Sequence, residues 1–181
     1  MKKVLIISAS PRKGGNSDLL CDEFARGATE AGHAVEKIRL AEKKIGYCIG
    51  CCACRTVGKC FQLDDVNGIM EKMLAADVIV LATPVYFYSM DAQLKALIDR
   101  SISRWNEFAR FKGKEFWHIV TAADTNRKMM SATLEGLRGF MRDCMEGTVE
   151  RGVLYGTGAY EKGEIRNLPV FREAYEAGKS C

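Results

Sequence analysis

The run Val4-Leu5-Ile6-Ile7-Ser8-Ala9-Ser10-Pro11-Arg12-Lys13-Gly14-Gly15-Asn16-Ser17-Asp18 decides the fold. Four apolar residues in succession read as a buried strand covered on both faces, as in the middle of a parallel sheet. Leu19, Leu20, Phe24 and Ala28 then recur at helical spacing, with Gly27 weakening that helix and Gly32 ending it. Between strand and helix lies a Gly-rich polar loop. The first amides of a helix lack intrahelical partners and sit at the positive end of its macrodipole, so a phosphate is accommodated there. Ser8, Ser10, Asn16 and Ser17 add donors, Gly14 and Gly15 permit positive φ and close approach, and Arg12 and Lys13 supply charge. Gly-x-x-x-x-Gly-Lys-[Ser/Thr] and Gly-x-Gly-x-x-Gly are both absent, so this is neither a P-loop nor a dinucleotide fingerprint. The competing reading is an ordinary polar connection with a helix N-cap at Asn16 or Ser17.

Outward from this unit, strands and helices alternate. Residues 33–40 read as a strand nearer the sheet edge, and Asp64-Asp65 cap a helix that turns Val66, Ile69, Met70, Met73 and Leu74 inward. Residues 77–82 are the most strand-like in the chain and stop at Thr83-Pro84, because proline cannot donate to a ladder. A helix over 91–105, a strand over 114–121, a helix over 129–145 and a strand over 148–155 follow, with a terminal helix after Pro169. Five strands alternating with helices imply an α/β fold with an open parallel sheet and right-handed crossovers. Ligands of such sheets bind beyond the carboxyl ends of the strands, which brings the loops 8–17, 83–90 and 121–126 together.

A chain of 181 residues without a linker or repeat is read as a single domain spanning 1–181. Its net charge of +4 demands no nucleic acid, though it suits an anionic cofactor or substrate. The N-terminal apolar run ends at Ser8 and the later one, 78–87, is too short to span a bilayer, so a cytoplasmic protein without membrane partners is expected. Eight cysteines in such a chain point to reduced thiols, metal or redox chemistry more than to a disulfide scaffold. Five of them fall within the aperiodic stretch 41–63, an excursion from the sheet that carries function or a metal.

The loop Thr83-Pro84-Val85-Tyr86-Phe87-Tyr88-Ser89-Met90 is crowded with aromatics, which a phosphate site alone does not need and a flat conjugated ring does. The alternative is that Tyr86, Phe87 and Tyr88 pack against a neighbouring helix or a second subunit. Ser-x-Ser-Pro-Arg-x-x-Gly-Asn-Ser (8–17), Asp-x-Ile-Val-x-x-Thr-Pro-Val-Tyr (77–86) and Leu-Lys-x-x-Ile-Asp-Arg (94–100) together resemble the NADPH-dependent FMN reductase and iron-sulfur flavoprotein branch of the flavodoxin-like superfamily. The resemblance covers roughly the first 105 residues well, and the remainder matches in element order. It implies a flavodoxin-like three-layer sandwich with a five-stranded parallel sheet in the order 2-1-3-4-5, one non-covalent FMN, and a homodimer or homotetramer. By that resemblance Ser10, Arg12, Asn16 and Ser17 hold the phosphate, and Pro84, Val85, Tyr86, Phe87 and Tyr88 border the flavin. Thr121 is also expected to contact the cofactor, at the start of the third loop, where relatives commonly carry a Gly-rich turn and this chain has Thr121-Ala122-Ala123-Asp124-Thr125-Asn126. Leu97, Ile98, Asp99 and Arg100 are taken as a structural helix face and its polar flank.

Cys48-x-x-Cys51-x-x-Cys54-x₅-Cys60, with Cys52 as a fifth thiol, resembles the compact motif that holds a [4Fe–4S] cluster in iron-sulfur flavoproteins. Tetrahedral zinc and free or redox-active thiols remain alternatives. Cys21 and Cys144 are read as small core residues in helices, and Cys181 as a mobile terminus. His33 and His118 have no visible catalytic partner, and no Ser/His/Asp pattern supports hydrolysis. The sequence therefore reads as an FMN-dependent oxidoreductase taking hydride from NAD(P)H and passing electrons to a quinone, flavin or similar acceptor. Its rival is an iron-sulfur electron carrier or redox sensor served by a protein donor such as ferredoxin. Replacing Arg12 and Asn16 by Ala is expected to weaken FMN binding markedly, and an unchanged affinity in a flavin titration would contradict the phosphate-loop reading.

Overall fold

The computed structural model describes residues 1–181. β1 (Lys3–Ser8) pairs in parallel with β2 (Ala34–Arg39) on one side and β3 (Val78–Tyr86) on the other, with Ile6 opposite both Lys37 and Val80. β5 (Glu115–Ala122) and β6 (Val149–Thr157) extend the sheet beyond β3, giving the order β2-β1-β3-β5-β6. The five long strands thus follow the expected 2-1-3-4-5 arrangement. β1 and β3 read as unbroken apolar runs because both faces are covered. Leu5, Ile7, Ile79 and Leu81 face one core and Val4, Ile6, Val78 and Val80 the other. Each such side chain contributes about 1.5–3 kcal/mol by leaving water.

On the second of these faces, α1 (Asn16–Glu30) lies against α6 (Pro169–Ser180). Their backbones nearly touch: a Cβ on Gly27 would stand 2.0 Å from Tyr175 O, and one on Gly178 2.0 Å from Phe24 O. Gly27, read from sequence as a weak point of the helix, is therefore the crossing that lets the two helices pack. The opposite face carries α3 (Val66–Ala75), α4 (Ala92–Arg100) and α5 (Ser131–Arg138). α4 runs on as a 3-10 segment to Phe111, beyond the expected end at 105. The expected single helix over 129–145 is instead a 3-10 turn, α5 and a π turn (Gly139–Asp143), in a stretch where Gly136 and Gly139 lower helix propensity. No helix is long and apolar enough to cross a membrane.

Two elements depart from expectation near the carboxyl ends of the strands. β3 does not stop at Thr83-Pro84 but continues to Tyr86, with Pro84 opposite Thr121. Ala82 O accepts from Ala9 N on the β1 edge, and β1 ends at Ser8. Two residues on, Pro84 presents its missing donor to that same vacated edge, so no ladder bond is lost. Beyond Tyr86 the chain reverses into β4 (Ser89–Met90), antiparallel to β3, through a two-residue turn in which Phe87 and Tyr88 have φ of +48° and +64°.

The excursion between β2 and α3 contains a 3-10 turn (Leu40–Glu42) and the single helical turn α2 (Cys54–Val57), closed by Gly58 at φ +74°. It is fastened by Arg100, which is not a polar flank but 1% exposed. Its guanidinium donates to both oxygens of Asp64 at 2.7 and 3.0 Å, and also to Gly46 O and Gln62 Oε1. Asp64 also accepts from Val66 N at the start of α3, so the expected cap is joined to a buried ion pair. Removing either partner would strand a buried charge, at about 3–5 kcal/mol.

The aromatic hairpin is fastened by Asp91. Its amide donates to Thr83 Oγ1 at 3.0 Å, Thr83 Oγ1 donates to Pro84 O, and Asp91 Oδ1 caps α4 by accepting from Leu94 N. Asp91 Oδ2 is buried without a partner. Burial pushes this carboxyl up to about 6, against the opposing effect of the Leu94 and Thr83 bonds. An acid whose folded pKa lies above its unfolded value binds its proton more tightly when folded, so this group costs stability progressively as pH rises from about 4 to about 6. Asp91→Asn keeps the cap and is expected to flatten that part of the profile, leaving the variant at least as stable as wild type at pH 7. Urea unfolding midpoints at pH 4.5 and pH 7 measure this.

Candidate functional site

The loop after β1 closes over a buried carboxylate. Gly15 is the extended residue before α1, so the helix starts at Asn16 and neither Asn16 nor Ser17 serves as the N-cap. Gly14 adopts φ +65° and its amide donates to Asp18 Oδ2 at 2.8 Å, while Ser8 Oγ donates to Asp18 Oδ1 at 2.7 Å. Lys37 and Arg39 of β2 face the same carboxylate at 2.7 and 3.4 Å. Burial acts to raise the Asp18 pKa, but the bonds from Lys37, Ser8 and Gly14 outweigh it and hold the carboxyl below its usual range. Asp18 therefore stays ionised and sets the shape of the loop. Sequence reading missed this role, because the only local signal is an acid in a first helical turn, and its cationic partners lie a strand away.

Ser10, Arg12, Asn16 and Ser17 come together with Pro84, Val85, Tyr86 and Thr121 around one cavity of about 210 Å³ at the carboxyl ends of β1, β3 and β5. Their side chains are used differently. Ser10 Oγ lies 3.3 Å from both Arg12 N and Arg12 O, which shapes the loop. Arg12 reaches Tyr160 O at 3.5 Å and has no carboxylate partner, and Lys13 has none either. Asn16 turns its amide away to residues 159–165. Ser17 Oγ is buried and has no hydrogen-bond partner. Phe87 and Tyr88 do not reach the cavity; they stand exposed at the hairpin tip. Ala159 and Tyr160 line the cavity unforeseen, since their segment follows the last strand and carries no motif.

The five clustered cysteines share a second and larger cavity of about 690 Å³, which also meets Arg100 and Trp105. Cys48, Cys51 and Cys52 are exposed and Cys54 and Cys60 half-buried, yet no three thiols converge on a common point that could hold a metal. Cys52 takes a positive φ of +57°, the strain of a chain turning tightly through Gly50 and Cys51. All eight cysteines are unpaired. Cys21 is a core residue whose thiol is pushed up to about 12 by burial. Cys144 is not, lying exposed just past the π turn. Cys181 is no mobile end: it is buried, its Sγ donates to Gly178 O at 3.0 Å, and its carbonyl meets His33 Nε2 at 2.8 Å. His118 is fully buried on β5, away from both cavities, and burial pushes its pKa down to about 4.

The profile of the NADPH-dependent FMN reductase family matches residues 2–155. An iron-sulfur flavoprotein of Methanocaldococcus jannaschii is 50% identical over 99 residues, which are 55% of this chain and 51% of that protein. One from Archaeoglobus fulgidus is 33% identical over 165 residues, covering 90% of this chain and 71% of that protein. The chain thus matches about half the length of the first relative and more of the second. Among solved structures, an azoreductase from Bacillus anthracis superimposes with a TM-score of 0.78 at 17% identity, covering 100% of both chains, which shows a shared fold. The profile runs from β1 into β6, through every strand whose end borders the smaller cavity, and on that extent the chain belongs to the NADPH-dependent FMN reductase family.

Proposed function

We propose that this chain is an FMN-dependent oxidoreductase that takes hydride from NAD(P)H and delivers electrons to a quinone, flavin or similar acceptor. The observation that carries this reading is Ser17 Oγ, a buried hydroxyl without a partner at the start of α1. Burying an unsatisfied hydroxyl costs about 1–3 kcal/mol, and a phosphate oxygen repays it. Beside it stand the first amides of α1, and Arg12 lines the same cavity. A site of about 210 Å³ suits a phosphate and polyol chain but not a whole flavin mononucleotide. The ring is therefore assigned to the open surface beside Pro84, Val85 and Tyr86, towards Phe87 and Tyr88.

When bound, the flavin supplies the acceptor for hydride and the donor of electrons. The chain binds, orients and shields. The β3–β4 hairpin presents the amides of Phe87 and Tyr88 outside its ladder, where they can bond the edge of a ring. Its aromatic tip is exposed, and we assign it to contact with a second copy of the chain in a homodimer or homotetramer. Eight unpaired thiols accord with a reducing, cytoplasmic setting.

A second reading is favoured by the cysteine cavity. Four thiolates in the spacing of Cys48, Cys51, Cys54 and Cys60 suit an iron-sulfur cluster, and the cavity gathers all four beside Arg100. The donor chemistry fits, whereas the thiols are not preset, so the exposed excursion must close for ligation. A protein so equipped would exchange single electrons with a protein partner such as ferredoxin.

Anaerobic absorption spectra of the purified chain, with iron and acid-labile sulfide assays, test both readings. Flavin bands bleached rapidly by NADPH are expected, and absence of flavin even after FMN is added would overturn the central proposal. About four irons per chain would assign the cysteines to a cluster. Ser17→Ala separates ligand binding from folding. The flavin-free variant is expected to melt at or slightly above the wild-type temperature, because an unsatisfied buried hydroxyl is gone. Its FMN affinity should fall about tenfold or more, the value of one hydrogen bond to a charged group.

A further inference from the structure

The motif resemblance makes Asn16 a phosphate ligand, but its side chain has no bonding capacity left. A carboxamide offers two N–H donors and two acceptor lone pairs. Asn16 Nδ2 donates to Ala159 O at 3.1 Å and Glu161 O at 3.0 Å, and Oδ1 accepts from Gly163 N at 3.0 Å and Ile165 N at 3.4 Å. Two carbonyls on one side and two amides on the other fix which end of the carboxamide is which. The partners lie more than 140 positions away, so these four bonds serve to hold one segment against another.

That segment, residues 158–165, closes the cavity on the side away from the aromatic hairpin. Gly158 N and Ala159 N donate to Asp124 O and Ala122 O of the loop after β5. Glu164 Oε2 accepts from Tyr160 N at 2.7 Å and Glu161 N at 2.8 Å, which folds the segment on itself. Ala159 and Tyr160 line the cavity with Ser10, Arg12 and Ser17. Lys162 reaches over the phosphate loop: a Cβ on Gly14 would lie 3.2 Å from its Cε and 3.7 Å from its Nζ. Lys162 has no carboxylate partner, so with Arg12 and Lys13 it makes three uncompensated cations around one loop. A phosphate monoester carries close to two negative charges at neutral pH, which this set complements.

We propose that residues 158–165 form a wall of the flavin site, with Tyr160 against the polyol and Lys162 on the phosphate, and that Asn16 is the positioning residue that clasps this wall. The proposal rests on the flavin reading above. It differs from a ligand role for Asn16 in what each flavin probe reports, because riboflavin has the ring and polyol of FMN without the phosphate.

The experiment measures FMN and riboflavin affinities by fluorescence titration of the full chain, together with hydrogen exchange at 158–165. Asn16→Ala should weaken both flavins by a similar factor, about tenfold, because the wall it releases faces the part of the ligand that FMN and riboflavin share. Exchange at 158–165 should accelerate with or without flavin. Lys162→Met should weaken FMN several-fold and leave riboflavin unchanged, while Tyr160→Ala should weaken both. Glu164→Ala loosens the same wall without touching α1 and should reproduce the Asn16→Ala pattern, which keeps the test intact if Asn16→Ala does not fold. Loss of FMN alone in Asn16→Ala, with riboflavin affinity and exchange at 158–165 as in wild type, would overturn the clasp. Equal FMN and riboflavin losses in Lys162→Met would overturn the phosphate role of that lysine. Should the wild type bind neither flavin, the flavin reading and the ligand roles fall together, and exchange in Asn16→Ala then judges the clasp by itself.

Discussion

The ligand end of this molecule depends on one buried ion, the carboxylate of Asp18. It joins β1 through Ser8, the loop through Gly14 and β2 through Lys37 and Arg39. Such a charge is tolerable only because four groups share it, and once shared it fixes their positions. The loop then has one shape, with Gly14 in the left-handed region and α1 starting at Asn16. Ser17 is left buried and unsatisfied, a cost that the phosphate proposed above would recover. Local frustration of this kind beside an otherwise consistent fold is where function is expected to lie.

The same logic recurs at the two other attachments. Asp91 and Thr83 hold the aromatic hairpin to α4 from beneath, leaving Phe87 and Tyr88 free to meet a ring or a second subunit. Arg100 and Asp64 hold the cysteine-bearing excursion to the junction of α3 and α4, while its thiols remain exposed or half-buried and unconverged. Both exposed segments are thus fastened at their base by buried polar bonds while their tips make few contacts with the sheet. The flavin and cysteine regions therefore hang from one scaffold through separate buried charges.

Much of the fold was legible because it is written in local chemistry. Four apolar residues followed by a Gly-rich loop and an amphipathic helix can hardly be anything but a strand feeding a helix in a parallel sheet, and the spacing of the remaining apolar runs supplied the rest. Departures arose where distant chain sections meet. Gly27 is a helix weakness in isolation and a packing necessity once α6 crosses it. Pro84 stops a strand in isolation, and is harmless where β1 has already left the neighbouring edge. Cys181 is a free end in isolation, and a buried one beside His33.

The sequence by itself determined the alternation of strands and helices and the three loops at the carboxyl ends of the strands, through patterning and the handedness of parallel crossovers, while the strand order and the roles of Ser10, Arg12, Ser17, Pro84 and Tyr86 were what the resemblance of three motifs to a known family implied. Only the tertiary structure decided what the polar side chains do there. Whether Asn16 faces a ligand or clasps residues 158–165, and whether Arg100 is solvated or locked onto Asp64, depends on which carbonyls, amides and carboxylates a fold brings into hydrogen-bond reach across more than thirty or a hundred positions. Hydrogen-bond capacity is a property of the residue, but how it is spent is a property of the assembled chain.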